Sequence, residues 1–111
     1  MTAPPPKIRL TTPTRMVLDL LLAADPSDPL WGYRITELAD LGPGTVYPIL
    51  ERLEQAGWLT GTWEANAPAD RPQRRLYILS GTGRQEYAAA QAARRSRSWL
   101  PGRMRPTGNA T

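Results

Sequence analysis

Residues 42–59 read Gly42-Pro-Gly-Thr-Val-Tyr-Pro-Ile-Leu-Glu-Arg-Leu-Glu-Gln-Ala-Gly-Trp-Leu59, and the fold turns on them. Val46, Ile49, Leu50, Leu53 and Ala56 recur at the spacing of one helical face, which predicts a helix over about 44–56. Thr45, Pro48, Arg52 and Gln55 gather on another face of the same helix. Gly57 stands where a glycine closes a helix, because it enters the left-handed backbone region at no steric cost. Ahead of the helix, Leu41-Gly-Pro-Gly44 breaks the chain.

Upstream of that break, Trp31, Ile35, Leu38 and Ala39 form an apolar stripe, so a short helix is predicted over about 32–40. A first helix opens with Thr12 as N-cap and Pro13 at the first helical position, and continues to Ala24. Its apolar residues lie on nearly every side, which implies burial on more than one face. Asp25-Pro-Ser-Asp-Pro29 then supplies turn chemistry. Downstream of Gly57 the periodicity changes. Residues 58–64 and 76–79 read as paired strands, separated by the polar, proline-containing tip Ala65-Asn-Ala-Pro-Ala-Asp-Arg-Pro-Gln73. Ser80 can cap a last helix over about 81–99, rich in Ala, Arg and Gln.

Composition narrows the function classes. At 111 residues and 41% hydrophobic content, the chain suits one compact domain with a modest core. Its longest apolar run, Leu20-Leu-Leu-Ala-Ala24, falls far short of a membrane span. The start, Met1-Thr-Ala-Pro-Pro-Pro6, lacks the basic and apolar regions of a secretory signal. A cytoplasmic protein with no membrane partner is expected. Cysteine and histidine are both absent, which removes disulfides, thiolate nucleophiles, the usual zinc sites and imidazole catalysis. With a single lysine, Lys7, and no carboxylate pair at a suggestive spacing, neither an enzyme nor a cofactor or metal site is expected. The net charge of +4 is unevenly spread. Residues 1–65 carry five basic and eight acidic side chains, whereas 66–111 carry nine arginines against Asp70 and Glu86. An arginine-biased half fits a polyanion, since guanidinium pairs bidentately with phosphate; a solvated basic tail is the competing reading.

Helix, helix, helix, strand, strand, helix is the sequence image of an α+β winged helix-turn-helix. The expected organisation is a flexible arm over 1–12, a winged-helix DNA-binding domain over 13–80, a dimerisation helix over 81–99 and a disordered tail over 100–111. In this architecture the second helix of the pair enters the major groove and presents its N-terminal residues to base edges. That groove is about 12 Å wide and admits one helix with slender side chains at its tip, a requirement met by Thr45 and Pro48.

The 42–59 stretch resembles the signature of the PadR family of transcriptional regulators. Trp31-Gly-Tyr-Arg-Ile35 is similar to that family's second-helix motif, and Arg75-Leu-Tyr-Ile-Leu-Ser-Gly-Thr-Gly-Arg84 resembles its second wing strand and the start of its last helix. Three motifs in order cover about residues 14–95. The resemblance implies a winged-helix homodimer that binds palindromic promoter DNA, usually as a repressor. It also implies a small aromatic or planar effector as a partner. Larger relatives carry a separate C-terminal helical domain. This chain resembles the short subfamily, in which the first and last helices form the dimer, which counts against a sizeable ligand pocket.

Candidate DNA-contact residues follow from both readings. Tyr47 lies off the apolar face of its helix and could donate to a phosphate, as the matching family tyrosine does, or cover the helix pair. Pro48 sits inside a helix, where it costs roughly 3 kcal/mol; near the first turn that penalty shrinks, which favours a role in groove shape. Tyr33 matches a family backbone contact, with core packing as the alternative. Arg34 and Arg52 could each hold a phosphate, and Arg52 could instead pair with Glu51 or a residue one turn away. Arg71, Arg74 and Arg75 on the wing are placed for the minor groove, where arginine is favoured by negative potential; a solvated loop is the competing reading. Glu51 and Glu54 are expected to point along the groove or away. Trp58 and Trp63 read as core or wing-base packing. For the dimer seam the expected residues are Val17 and Leu21 on the first helix and Ala88, Ala92 and Trp99 on the last, where small residues beside a large aromatic permit close approach. A winged-helix module that binds protein in place of DNA is the alternative function.

Overall fold

The computed structural model describes residues 7–99. Its elements are α1 (Thr12–Ala23), β1 (Leu30–Trp31), α2 (Gly32–Ala39), α3 (Pro43–Gln55), β2 (Leu59–Trp63), β3 (Arg75–Leu79) and α4 (Gly81–Trp99). The N-cap of α1 is Thr11, one residue before the expected Thr12, and its hydroxyl accepts a hydrogen bond from the Thr14 backbone at 3.3 Å. At the other end of the domain Ser80 does cap α4: its hydroxyl accepts from the Gly83 backbone at 2.9 Å and donates to the Gly57 carbonyl at 2.6 Å.

The ends of α2 and α3 both use the left-handed region. Asp40 ends α2 at φ 56° and Gly57 follows α3 at φ 81°. In each case the next residue's N–H returns to the last helical turn, Leu41 to the Thr36 carbonyl at 3.2 Å and Trp58 to the Leu53 carbonyl at 2.9 Å. Carbonyls that a helix end leaves orphaned are thereby satisfied.

The core takes one face from each helix. Val17, Leu18 and Leu21 of α1, Ile35 of α2, and Val46, Ile49, Leu50 and Leu53 of α3 meet Leu59, Tyr77 and Leu79 of the sheet and Tyr87 of α4. The predicted face of α3 is the buried one. Val17 and Leu21, expected at a dimer seam, are instead 0% and 2% exposed. They belong with Thr14 and Leu18 on the single inward arc of α1, so a partner cannot reach them.

The sheet has the order β1–β3–β2, antiparallel throughout. β1 was not expected: two residues carry no alternation, and only their pairing to β3, Leu30 with Tyr77 and Trp31 with Leu76, makes them a strand. Trp58 precedes β2 and packs partly against the core, but Trp63 at the strand's far end is 60% exposed, contrary to the packing expected of it. Within the arm, Ile8 and Leu10 pack against the core. Residues 1–6, the tail over 100–111 and the side chain of Trp99 lie outside the described residues.

Candidate nucleic-acid interface

The outward side of α3 begins at an open tip. Gly42 caps the helix with no side-chain hydrogen bond, and Pro43 occupies the first helical position. A Cβ added at Gly42 or Gly44 would meet nothing within 4 Å. Helix N-termini leave several N–H groups without partners and carry partial positive charge, so such a tip favours an approaching phosphate. Thr45, Tyr47, Pro48, Glu51, Arg52 and Gln55 are all exposed along this helix. Because α3 starts at Pro43, Pro48 lies past the first turn, deeper than expected, and removes the bond its nitrogen would have donated to the Gly44 carbonyl. Gly44 and Pro48 are both exposed, so water can hydrate that carbonyl. Arg52 enters no ion pair among the described residues.

Beside the tip, α2, α3 and the wing enclose a groove of about 400 Å³. Trp31, Tyr33, Tyr47 and Tyr77 form its aromatic walls, and the 71–75 strand entry closes it. The rings of Trp31 and Tyr33 stand 6.1 Å apart. Tyr47 leans onto α2 where that helix begins with glycine. A Cβ at Gly32 would come within 2.6 Å of the Tyr47 ring and 2.8 Å of its hydroxyl. Tyr77 lines the floor, and burial raises its phenol above the ordinary value.

The three wing arginines are held in three different ways. Arg71 makes a bidentate pair with Glu64, Nη1 to Oε1 at 2.8 Å and Nη2 to Oε2 at 3.0 Å. Those hydrogen bonds, helped by the Arg74 backbone N–H, hold the Glu64 carboxyl below its ordinary range and push the Arg71 guanidinium up. Arg75 donates to Glu54 of α3 at 2.8 Å and lies 5.2 Å from the ring centre of Trp63, its register partner on β2. That ion pair crosses β2 at Gly61, where a Cβ would stand 2.9 Å from the Arg75 guanidinium and 3.0 Å from the Glu54 carboxylate. Arg74 makes no ion pair among the described residues; its guanidinium carbon lies over the Trp31 ring, 3.7 Å from the ring centre.

The structure therefore gathers Tyr33, Tyr47, Arg71, Arg74 and Arg75 around one groove, with Thr45, Pro48 and Arg52 on the adjoining helix face. Arg34 is exposed on α2 and paired with Glu37 at 3.3 Å. Sequence reasoning missed the parts that hold the arginines: Trp31, which was read as an apolar-stripe residue, and the carboxylates Glu54 and Glu64. Glu54 lies 21 residues from Arg75, and nothing local in the sequence couples them. Glu64 had a weak signal in its place, one residue after the strand that faces the arginine-rich return. On α4, Ala88 and Ala92 are exposed.

The sequence matches the transcriptional regulator PadR-like family over residues 20–89. No curated protein sequence matches the chain. Among solved structures, a PadR family transcription regulator from Clostridium difficile R20291 is similar at TM-score 0.63 and 18% identity, over 78% of this chain and 90% of that one. A PadR-like transcription factor from Bacteroides fragilis is similar at TM-score 0.58 and 25% identity, over 74% and 81%. Bacillus subtilis PadR, solved in complex with operator DNA, is similar at TM-score 0.57 and 22% identity; the match covers 70% of this chain and 46% of that one. With its winged helix-turn-helix and with well over half its length matched, this chain belongs to the PadR-like family of transcriptional regulators.

Proposed function

We propose that the protein is a cytoplasmic, homodimeric, sequence-specific DNA-binding regulator that represses from a palindromic promoter site, acting by binding and not by catalysis. One observation carries the reading. Tyr47 of α3 shares one groove with the wing arginines, and Thr45, Pro48 and Arg52 are exposed on the same helix, so a helix entering the major groove brings the wing against the neighbouring backbone. The operator complex of the Bacillus subtilis relative supports it. For the dimer we propose a seam through Ala88 and Ala92 of α4 together with the exposed Met16 and Leu22 of α1, which lie one turn either side of Asp19. A small aromatic effector would find flat walls in the groove of Trp31, Tyr33 and Tyr47. Footprinting on DNA upstream of the protein's own gene tests the whole reading. Protection of two half-sites about one helical turn apart is expected; protection of a lone half-site, or none, refutes it.

A further inference from the structure

We infer that Glu54 and Glu64 restrain DNA binding by neutralising two of the three wing arginines, leaving Arg74 as the wing's chief uncompensated charge. This rests on the DNA-binding reading and goes beyond it, because family resemblance points to the cations and not to the acids. Each pair is short, 2.8 Å, and each carboxylate is placed directly against a wing arginine that lines the groove: Glu54 from α3 on Arg75, and Glu64, one residue past β2, on Arg71. A paired arginine and carboxylate present no net charge to a distant phosphate. When a duplex docks there are two outcomes, and both weaken binding. If the pair stays closed, its cation neutralises no phosphate. If a phosphate draws the arginine away, a bare carboxylate is left beside a polyanion.

Arg74 differs because its partner is an indole face, which attracts the guanidinium without cancelling its charge. The geometry also shows why the acids are fixed in place. Glu64 is tied into the wing tip by its backbone as well as its side chain. Its N–H donates to the Arg74 carbonyl at 2.8 Å, and its carbonyl accepts from the Gln73 amide at 2.7 Å. Glu54 reaches Arg75 through the gap left by Gly61. Glutamine keeps the shape of glutamate and one accepting oxygen, so Glu54→Gln can retain the single Arg75 bond, while Glu64→Gln removes the charge at the loss of one of the two Arg71 bonds.

The experiment measures operator-duplex affinity against salt concentration for the full chain and its variants. Each real phosphate contact on duplex DNA contributes about 0.9 to the slope of log affinity against log salt. Glu54→Gln and Glu64→Gln should each raise affinity about three- to tenfold at roughly 0.15 M salt and steepen the slope by about 0.9. The two effects should add, because the pairs share no residue. Glu86→Gln, on α4 and away from the wing groove, controls for mere loss of a negative charge and should leave both quantities in place. A cycle removes the remaining ambiguity: Arg71→Gln should cost more affinity and slope in the Glu64→Gln background than in the native chain. A rise in affinity with that coupling supports the inference. Unchanged or weaker binding in both Glu→Gln variants, with native binding intact, overturns it and makes the acids wing supports alone. A native chain that binds no duplex overturns the DNA-binding reading and this inference together.

Discussion

Asp40 turns the chain between α2 and α3 at φ 56°, a conformation in which an L residue carries a Cβ clash that glycine avoids. Asp40→Gly should therefore raise stability by about 0.5–1 kcal/mol, read as a shift in denaturant midpoint at constant slope. Gly32 poses the opposite constraint, since the Tyr47 ring occupies the space where its side chain would be. Tyr47 is 42% exposed, so Gly32→Ala should displace the ring toward solvent at modest cost in stability. Operator affinity should fall about tenfold if the Tyr47 hydroxyl holds a phosphate, as one charge-assisted hydrogen bond lost is on that order. Anisotropy titration of a labelled duplex separates the outcomes: full affinity in a folded variant would take Tyr47 out of the contact set. Both sites show where the sequence was legible. The inward face of α3 and the closing Gly57 stood out because they obey local rules. Aspartate in a glycine's role at position 40, and a ring-glycine fit between two helices, are settled only by neighbours that folding brings near.

Between elements, the junction of α4 with α1 depends on Tyr87, which is 1% exposed and donates to the Asp19 carboxylate at 2.6 Å. Burial first, then that hydrogen bond, pushes the phenol up to about 12. The fold thus favours the neutral ring. Its contribution is whole below the ordinary phenol value of 10.0 and declines as pH climbs from there toward about 12. Tyr87→Phe should cost about 1–2 kcal/mol at neutral pH and remove this part of the alkaline decline, measured by urea unfolding across that range. An unaltered decline would assign it to other groups. Element boundaries were read from caps and periodicity to within a residue or two, and β1 was missed because a two-residue strand exists only by its pairing. The same reason explains the error at α1. Periodicity does not say which apolar face of α1 turns inward: the arc of Thr14, Val17, Leu18 and Leu21 is the buried one, so Val17 and Leu21 serve the core instead of a seam, while Met16 and Leu22 stay exposed.

At the scale of the whole molecule, the absence of histidine and cysteine becomes a statement about binding. No side chain of the chain has an ordinary pKa between about 5 and 8. Glu64, paired with Arg71 on the wing, is held lower still by that hydrogen-bonded pair. Operator affinity should stay within about twofold from roughly pH 6 to 8 at fixed salt, while it falls steeply as salt rises at fixed pH. A marked pH dependence in that window, measured by anisotropy titration, would mean that a group with a strongly shifted pKa takes part in binding.

The placement of β3 has a mechanical consequence. It is bonded on one edge to β2, which leads out of α3, and on the other to β1, which runs straight into α2. The hairpin is therefore no loose flap hung from one hinge. A push on its tip is shared by both helices of the pair, through Trp31 on one side and Leu59 on the other, so the hairpin and the two helices answer a load as a single stiff wedge.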